Sequence, residues 1–132
     1  MGQVQAFGKL PRVLLVEDEV LISMMIEDAM LERGFEVLTA TNADDALQVL
    51  ADGPPIDVLF TDIHLDGEMD GAALAQRARE MQPSLAVLYA SGTQERVENA
   101  VPGSTFVPKP YVPAEVCTMV ADMAAGHVIK AA

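Results

Sequence analysis

Val58-Leu59-Phe60-Thr61-Asp62 decides how this chain is read: four residues suited to the middle of a sheet, then a carboxylate where the strand stops. Gly53-Pro54-Pro55 breaks the chain before the run, and Asp66-Gly67 and Asp70-Gly71 make a loop after it. A short apolar run interrupted at both ends is expected to be buried on both faces, the habit of parallel strands lying under helices. Asp62 then emerges at the carboxyl edge of the sheet, where open α/β folds bind their ligands.

The same alternation extends in both directions. Arg12 to Val16 is a second such strand and ends in Glu17-Asp18-Glu19. Val20 to Arg33 carries Ile22, Met25, Ile26, Ala29 and Met30 at helical spacing, with Gly34 as a left-handed stop. Glu36 to Thr41 reads as a strand, and Asn42 as the N-cap of a helix through Ala46, Leu47, Val49 and Leu50. Beyond Asp62, a helix is expected from about Ala72 to Met81, stopping before Pro83, followed by a strand from Leu85 to Ala90. Thr105 to Val107 gives a brief fifth strand, and Pro113 opens a last helix through Val116, Val120, Met123 and Ala124, closed by Gly126. From Thr93 to Gly103 only Val97, Ala100 and Val101 are apolar, so a fourth helix there is expected to be short or poorly ordered. Five strand–helix alternations imply an α/β fold in three layers, with a parallel five-stranded sheet, right-handed crossovers and helices on both faces. The expected division is a domain over 11–126, an N-terminal extension over 1–10 and a tail over 127–132.

Composition narrows the function classes. With 132 residues, 51% of them hydrophobic, the chain suits one domain with a substantial core. Twenty acidic against eight basic residues give a net charge of -12, which repels phosphate backbones and anionic membrane surfaces and argues against nucleic acid as a partner. The single Cys117 has no partner for a disulfide and no metal-ligand spacing around it, which suits a reducing, cytoplasmic setting. No apolar run approaches the ~18 residues of a membrane span, and Met1 to Leu10 lacks the layout of a signal peptide. Met1-Gly2 resembles a myristoylation start, but Ala6 stands where Ser or Thr is required.

The strand ends carry the chemistry: Glu17 and Asp18 after the first, Asp62 after the third, Ser91 after the fourth and Lys109 after the fifth. Carboxylates pressed together repel, and a hard divalent cation such as Mg²⁺ relieves that repulsion. Asp18 and Asp62 are the expected direct ligands, with Glu17 acting through water and the backbone carbonyl of His64 completing the shell. Lys109, facing Asp62 at ~4 Å with the screening typical of a protein surface, contributes about 4 kcal/mol before desolvation. Such groups suit phosphoryl transfer, with the Asp62 carboxylate as nucleophile, Ser91 donating to a phosphoryl oxygen and Lys109 neutralising charge.

These motifs resemble the receiver domain of the response regulators of two-component signalling. They are Val13-Leu14-Leu15-Val16-Glu17-Asp18-Glu19, Phe60-Thr61-Asp62-Ile63-His64-Leu65 with Met69-Asp70-Gly71, Ala90-Ser91-Gly92, and Phe106-Val107-Pro108-Lys109-Pro110-Tyr111. Each alone is weak; the four in this order are specific, and the resemblance covers about Arg12 to Ala125. It implies a doubly wound (βα)5 flavodoxin-like fold of strand order 2-1-3-4-5 and Mg²⁺-dependent phosphorylation of Asp62 as a 4-aspartylphosphate. The donor would be a sensor histidine kinase or a histidine phosphotransfer protein. It also implies slow hydrolysis as a reset, Ser91 and Phe106 as the switch pair, and a cis peptide before Pro110. The expected protein is a bacterial, stand-alone phosphorelay regulator, switching protein–protein interactions or acting as a phosphate sink. It would catalyse only its own phosphorylation and dephosphorylation, and be monomeric unless phosphorylation drives dimerisation. Departures are present: Asp66 stands where many receivers have Pro, the loop to Gly71 is one residue longer, and Phe106 has no hydroxyl. The Pro-Lys-Pro-Tyr ending resembles an alphaproteobacterial receiver subgroup and points to the fifth strand and final helix as a contact surface.

Two other functions are consistent with parts of the pattern. A phosphorylation-independent pseudo-receiver would bind partners without chemistry, but its site should be degraded, and every expected group is present. A phosphatase of the haloacid-dehalogenase type also uses Asp, Mg²⁺, Ser and Lys, yet wants Asp-x-Asp at the end of the first strand and a cap insertion. Here Glu17-Asp18 stands there and no cap follows.

Overall fold

Five short strands form one parallel sheet in the order β2-β1-β3-β4-β5. They are β1 (Arg12–Val16), β2 (Glu36–Ala40), β3 (Val58–Asp62), β4 (Ala86–Ser91) and β5 (Thr105–Pro108), seen in a computed structural model that describes residues 10–92 and 99–126. Four helices are described: α1 (Val20–Glu32), α2 (Ala43–Asp52), α3 (Gly71–Met81) and α4 (Pro113–Ala124). The central strand β3 is buried along its whole length, which is why it reads as a run and not as an alternation.

Side chains alternate between the two faces of the sheet. Leu14, Val16, Leu59, Val87 and Tyr89 pack on one face with Ala46 and Leu50 of α2 and Leu74, Ala75 and Ala78 of α3. Val13, Leu15, Phe60, Leu88 and Val107 pack on the other with Ile26 and Met30 of α1 and Val116, Cys117 and Val120 of α4. Fully burying one Leu or Val side chain contributes roughly 1.5 to 3 kcal/mol, so these two layers are the main source of stability.

Helix boundaries follow local chemistry. Asn42 accepts from the Asp45 amide at 2.8 Å and starts α2, and Asp70 accepts from the Ala73 amide at 2.9 Å and starts α3. Pro113 stands in the first turn of α4. Gly34 ends the α1 connection at a φ of 87°, a conformation that strains any other residue. Arg33 ties the α1 end to α4 through the Ala114 carbonyl and the Thr118 hydroxyl.

The observed elements differ from the expected ones by a residue at several ends. Strand β2 stops at Ala40, β4 runs from Ala86 through Ser91, β5 includes Pro108, and α3 begins at Gly71. The shift in β4 has a structural cause: Ser91 still pairs with Pro108 across the sheet, and its carbonyl accepts from the Lys109 amide at 2.7 Å. A short or poorly ordered helix was expected in the crossover after β4; residues 93–98 lie outside the described residues. So do 1–9 and 127–132.

Candidate functional site

Parallel strands deliver their carboxyl ends to one edge, and there the acidic residues meet. Register pairs Val16 with Thr61, and Asp62 with Ala90, so the ends of β1, β3 and β4 lie side by side. One carboxylate oxygen from each of Glu17, Asp18 and Asp62 lies within 4.8 Å of the others. Asp62 and Glu17 are buried, and Asp18 is half-buried.

Local hydrogen bonds fix these acids. The Glu17 carboxylate accepts from the Glu19 amide at 3.0 Å, and Asp18 accepts from the Asp66 amide at 3.1 Å. The loop after β3 is thus fastened to the end of β1. The His64 amide approaches Asp62 Oδ1 at 3.4 Å, while the His64 side chain is exposed. Asp70 caps α3.

Lys109 supplies the opposing charge. Its ammonium donates to Asp62 Oδ2 at 2.6 Å, across 47 residues of sequence. Its amide, bonded to the Ser91 carbonyl, holds the side chain at the end of β4 beside the buried Ser91. The peptide from Lys109 to Pro110 is cis. Phe106, on β5, lies opposite Tyr89 of β4 and is 40% exposed.

The electrostatics reflect crowding of like charge. Burial raises the Glu17 carboxyl above its ordinary range; the Glu19 amide and Lys109 oppose this, while Asp62 and Asp18 add to it. Burial works against the Lys109 charge, but the hydrogen bond and attraction from Asp62, with Glu17 and Glu19, outweigh it and raise the ammonium. Tyr111 packs edge-on against Phe60 at 5.7 Å between ring centroids. Its phenol is raised by burial and by the carboxylates of Glu17, Asp62 and Glu19. Three oxygen ligands of this type, partly desolvated and balanced by one ammonium, fit a hard cation of the Mg²⁺ class.

An apolar groove opens beside the site, lined by Ile22, Met25, Ile26, Lys109, Pro110 and Tyr111. Next to it α1 exposes Val20, Leu21, Met24 and Met25, with Leu21 76% exposed. Large apolar side chains gathered on one helix face mark a contact surface more often than isolated ones do.

Sequence reasoning missed two residues here. A Cβ on Gly71 would overlap the Asp62 carbonyl oxygen, so the start of α3 is pressed directly against the strand that carries the acid. Gly71 falls in the loop before the helix expected from about Ala72, although a glycine at a helix start also signals a close approach. Tyr89 lies within the strand expected from Leu85 to Ala90, which assigned it no role; its ring is fully buried, yet its hydroxyl accepts from the Val101 amide at 3.2 Å. A buried tyrosine usually finds such a partner, so the signal was the residue type itself.

A family model described as the response regulator receiver domain matches residues 13–121. Among curated proteins, the sensor kinase CckA of Brucella abortus is 30% identical over 116 residues, covering 84% of this chain and 12% of that protein. The transcriptional regulatory protein AruR of Pseudomonas aeruginosa is 30% identical over 114 residues, covering 80% of this chain and 46% of that protein. The chain therefore spans about half or less of these relatives. A response regulator receiver protein from Sinorhizobium medicae superposes with a TM-score of 0.80 at 28% identity, covering 90% of this chain and 98% of that one. The receiver domain from the hybrid histidine kinase CckA superposes at 0.74 with 30% identity, covering 86% and 98%.

Proposed function

Because the chain belongs to the response regulator receiver domain family, we propose that it is a phosphorylation-controlled switch in which Asp62 accepts a phosphoryl group from a phosphohistidine. The observation that carries this reading is the Lys109 ammonium at 2.6 Å from Asp62, beside a carboxylate cluster with Glu17 and Asp18. In the transfer, an Asp62 carboxylate oxygen forms the bond to phosphorus and the phosphorus–nitrogen bond of the donor breaks, its electron pair staying on the imidazole. Asp18, Asp62, the His64 carbonyl and, through water, Glu17 are the proposed holders of Mg²⁺, which when bound would neutralise charge on the phosphoryl oxygens. Lys109 pairs with one of those oxygens and Ser91 donates its hydroxyl to another.

Phosphorylation replaces one negative charge by roughly two and adds strong acceptors. New bonds from Lys109 and Ser91 to a charged group contribute about 1.5 to 3 kcal/mol each. Reversing a two-state equilibrium from 1:99 to 99:1 takes about 5.5 kcal/mol, which the two bonds together reach at the upper end of that range. Loss of Ser91 blunts the response, whereas loss of Asp62 abolishes it.

The apolar face of α1 and the groove beside Lys109 support a histidine kinase or histidine phosphotransfer protein as donor. A helical partner laid against Leu21, Met24 and Met25 would bring its histidine to the site edge. Phosphorylated chain would then act on a second protein or drain phosphoryl groups from a kinase, as a cytoplasmic regulator.

Incubation with radiolabelled acetyl phosphate and Mg²⁺ tests the central claim. The natural chain should take acid-stable, base-labile label, and folded Asp62→Asn should take none. Label on Asp62→Asn at the natural level would remove Asp62 from the role.

A further inference from the structure

The end of the crossover into β5 is held from two directions. Helix α3 grips it with two side chains: Gln76 Nε2 donates to the Asn99 carbonyl at 2.8 Å, and Arg79 Nη1 donates to the Pro102 carbonyl at 3.0 Å. From the sheet, Tyr89 accepts the amide hydrogen of Val101, whose side chain is buried in the core between them. Helix α3 in turn starts against the Asp62 carbonyl, with the Gly71 amide donating to the Ile63 carbonyl at 2.7 Å. Residues 99–102 are therefore fastened to both elements that meet the phosphoacceptor end of the sheet.

Tyr89 has a second attachment. Its ring lies 5.0 Å from that of Phe106, tilted by 32°, and this contact seats the half-exposed Phe106 on β5. On β4, Tyr89 and Ser91 are two residues apart and so project from the same face. One buried side chain thus joins three things: the strand that ends in Ser91, the amide of Val101, and the ring of Phe106.

We infer that Tyr89 is a positioning residue of the switch, whose hydroxyl and ring couple movement at the end of β4 to Val101 and Phe106. Phe106 has no hydroxyl to make such a link, and Tyr89 supplies one from the neighbouring strand. A displacement of Ser91 toward a phosphoryl group pulls on β4, and the hydrogen bond and ring contact carry that pull to the crossover and to β5. This rests on the reading of Asp62 as phosphoacceptor.

The test uses the ¹⁵N-labelled 132-residue chain, with Mg²⁺ and beryllium trifluoride as the probe standing in for the phosphoryl group. Loading is followed by ¹⁹F signals, and coupling by amide exchange at Val101 and the amide shift of Phe106. In the natural chain, loading should change Val101 exchange by roughly tenfold or more, the size of one buried hydrogen bond. Tyr89→Phe keeps the ring and removes the hydroxyl; it should load with unchanged affinity, while the loaded and unloaded rates at Val101 come together. A purely structural tyrosine would leave that difference intact, and a Tyr89→Phe chain that retains it overturns the inference. If Tyr89→Phe does not fold, the natural chain decides alone: equal Val101 exchange in both states overturns the inference. Absence of loading in the natural chain overturns the phosphoacceptor reading and this inference with it.

Discussion

Gly71 and Asp62 are in backbone contact: the first residue of α3 lies against the carbonyl of the last residue of β3, with no room for a Cβ between them. In an exposed helix Gly→Ala usually stabilises by about 0.4 to 1 kcal/mol. Here the sign reverses. Gly71→Ala should cost about 1 to 3 kcal/mol by overpacking, read as a lower urea midpoint, and should slow labelling by acetyl phosphate because β3 must shift.

Lys109 is the one ammonium in hydrogen-bond contact with the acidic cluster among the described residues, with 27% of its side chain exposed against 8% for Asp62. Removing it leaves buried carboxylates facing each other. Lys109→Ala should lower stability by about 1 to 3 kcal/mol in the absence of divalent cation, less than for a fully buried pair because water reaches the ammonium. Thermal unfolding with EDTA and with Mg²⁺ checks this: the deficit should shrink when Mg²⁺ is added.

Asp18 and Asp70 are both acids near the loop after β3, but their partners differ. Asp70 caps α3 through the Ala73 amide, and Asn caps a helix about as well as Asp. Asp70→Asn should therefore change stability by a few tenths of a kcal/mol and leave Mg²⁺ affinity intact. Asp18→Asn should weaken Mg²⁺ binding by tenfold or more, about 1.4 kcal/mol. Calorimetric titration with Mg²⁺ separates the two.

Alkaline pH should destabilise the chain before any backbone chemistry begins. Burial raises the Cys117 thiol above its ordinary 9.0, with Arg33 opposing, and raises the Tyr89 phenol above its ordinary 10.0, with the Val101 amide and Arg79 opposing. The folded chain keeps these protons where the unfolded chain has released them, so stability falls as pH rises. Their contribution is fully present below pH 9 and is lost progressively above it as each group passes its folded value. Urea midpoints measured from pH 7 to 11 should decline, and Cys117→Ala should remove the earlier part of the decline.

The fold was legible because its signals are local. Continuous apolar runs such as Val58 to Phe60 mark strands buried on both faces, Asn42 marks a helix start through a bond made within a turn, and Pro113 marks another through its fixed φ. Alternation of the two periods then leaves parallel pairing as the only economical topology, and a parallel sheet sends all strand ends to one edge. Glu17, Asp18, Asp62, Ser91 and Lys109 could be gathered on that basis without coordinates.

What the sequence determined by itself, then, was the order of the strands' partners in chemistry: which acids and which ammonium share an edge. The tertiary structure decided the distances and the bonds across the chain. It brought Lys109 within 2.6 Å of an acid 47 residues away, laid Asp66 on Asp18, closed Gly71 onto Asp62, and set the Tyr89 hydroxyl under the Val101 amide. None of these follows from periodicity, because each depends on how crossovers of different length return to the sheet and on which side chain fills the space they leave.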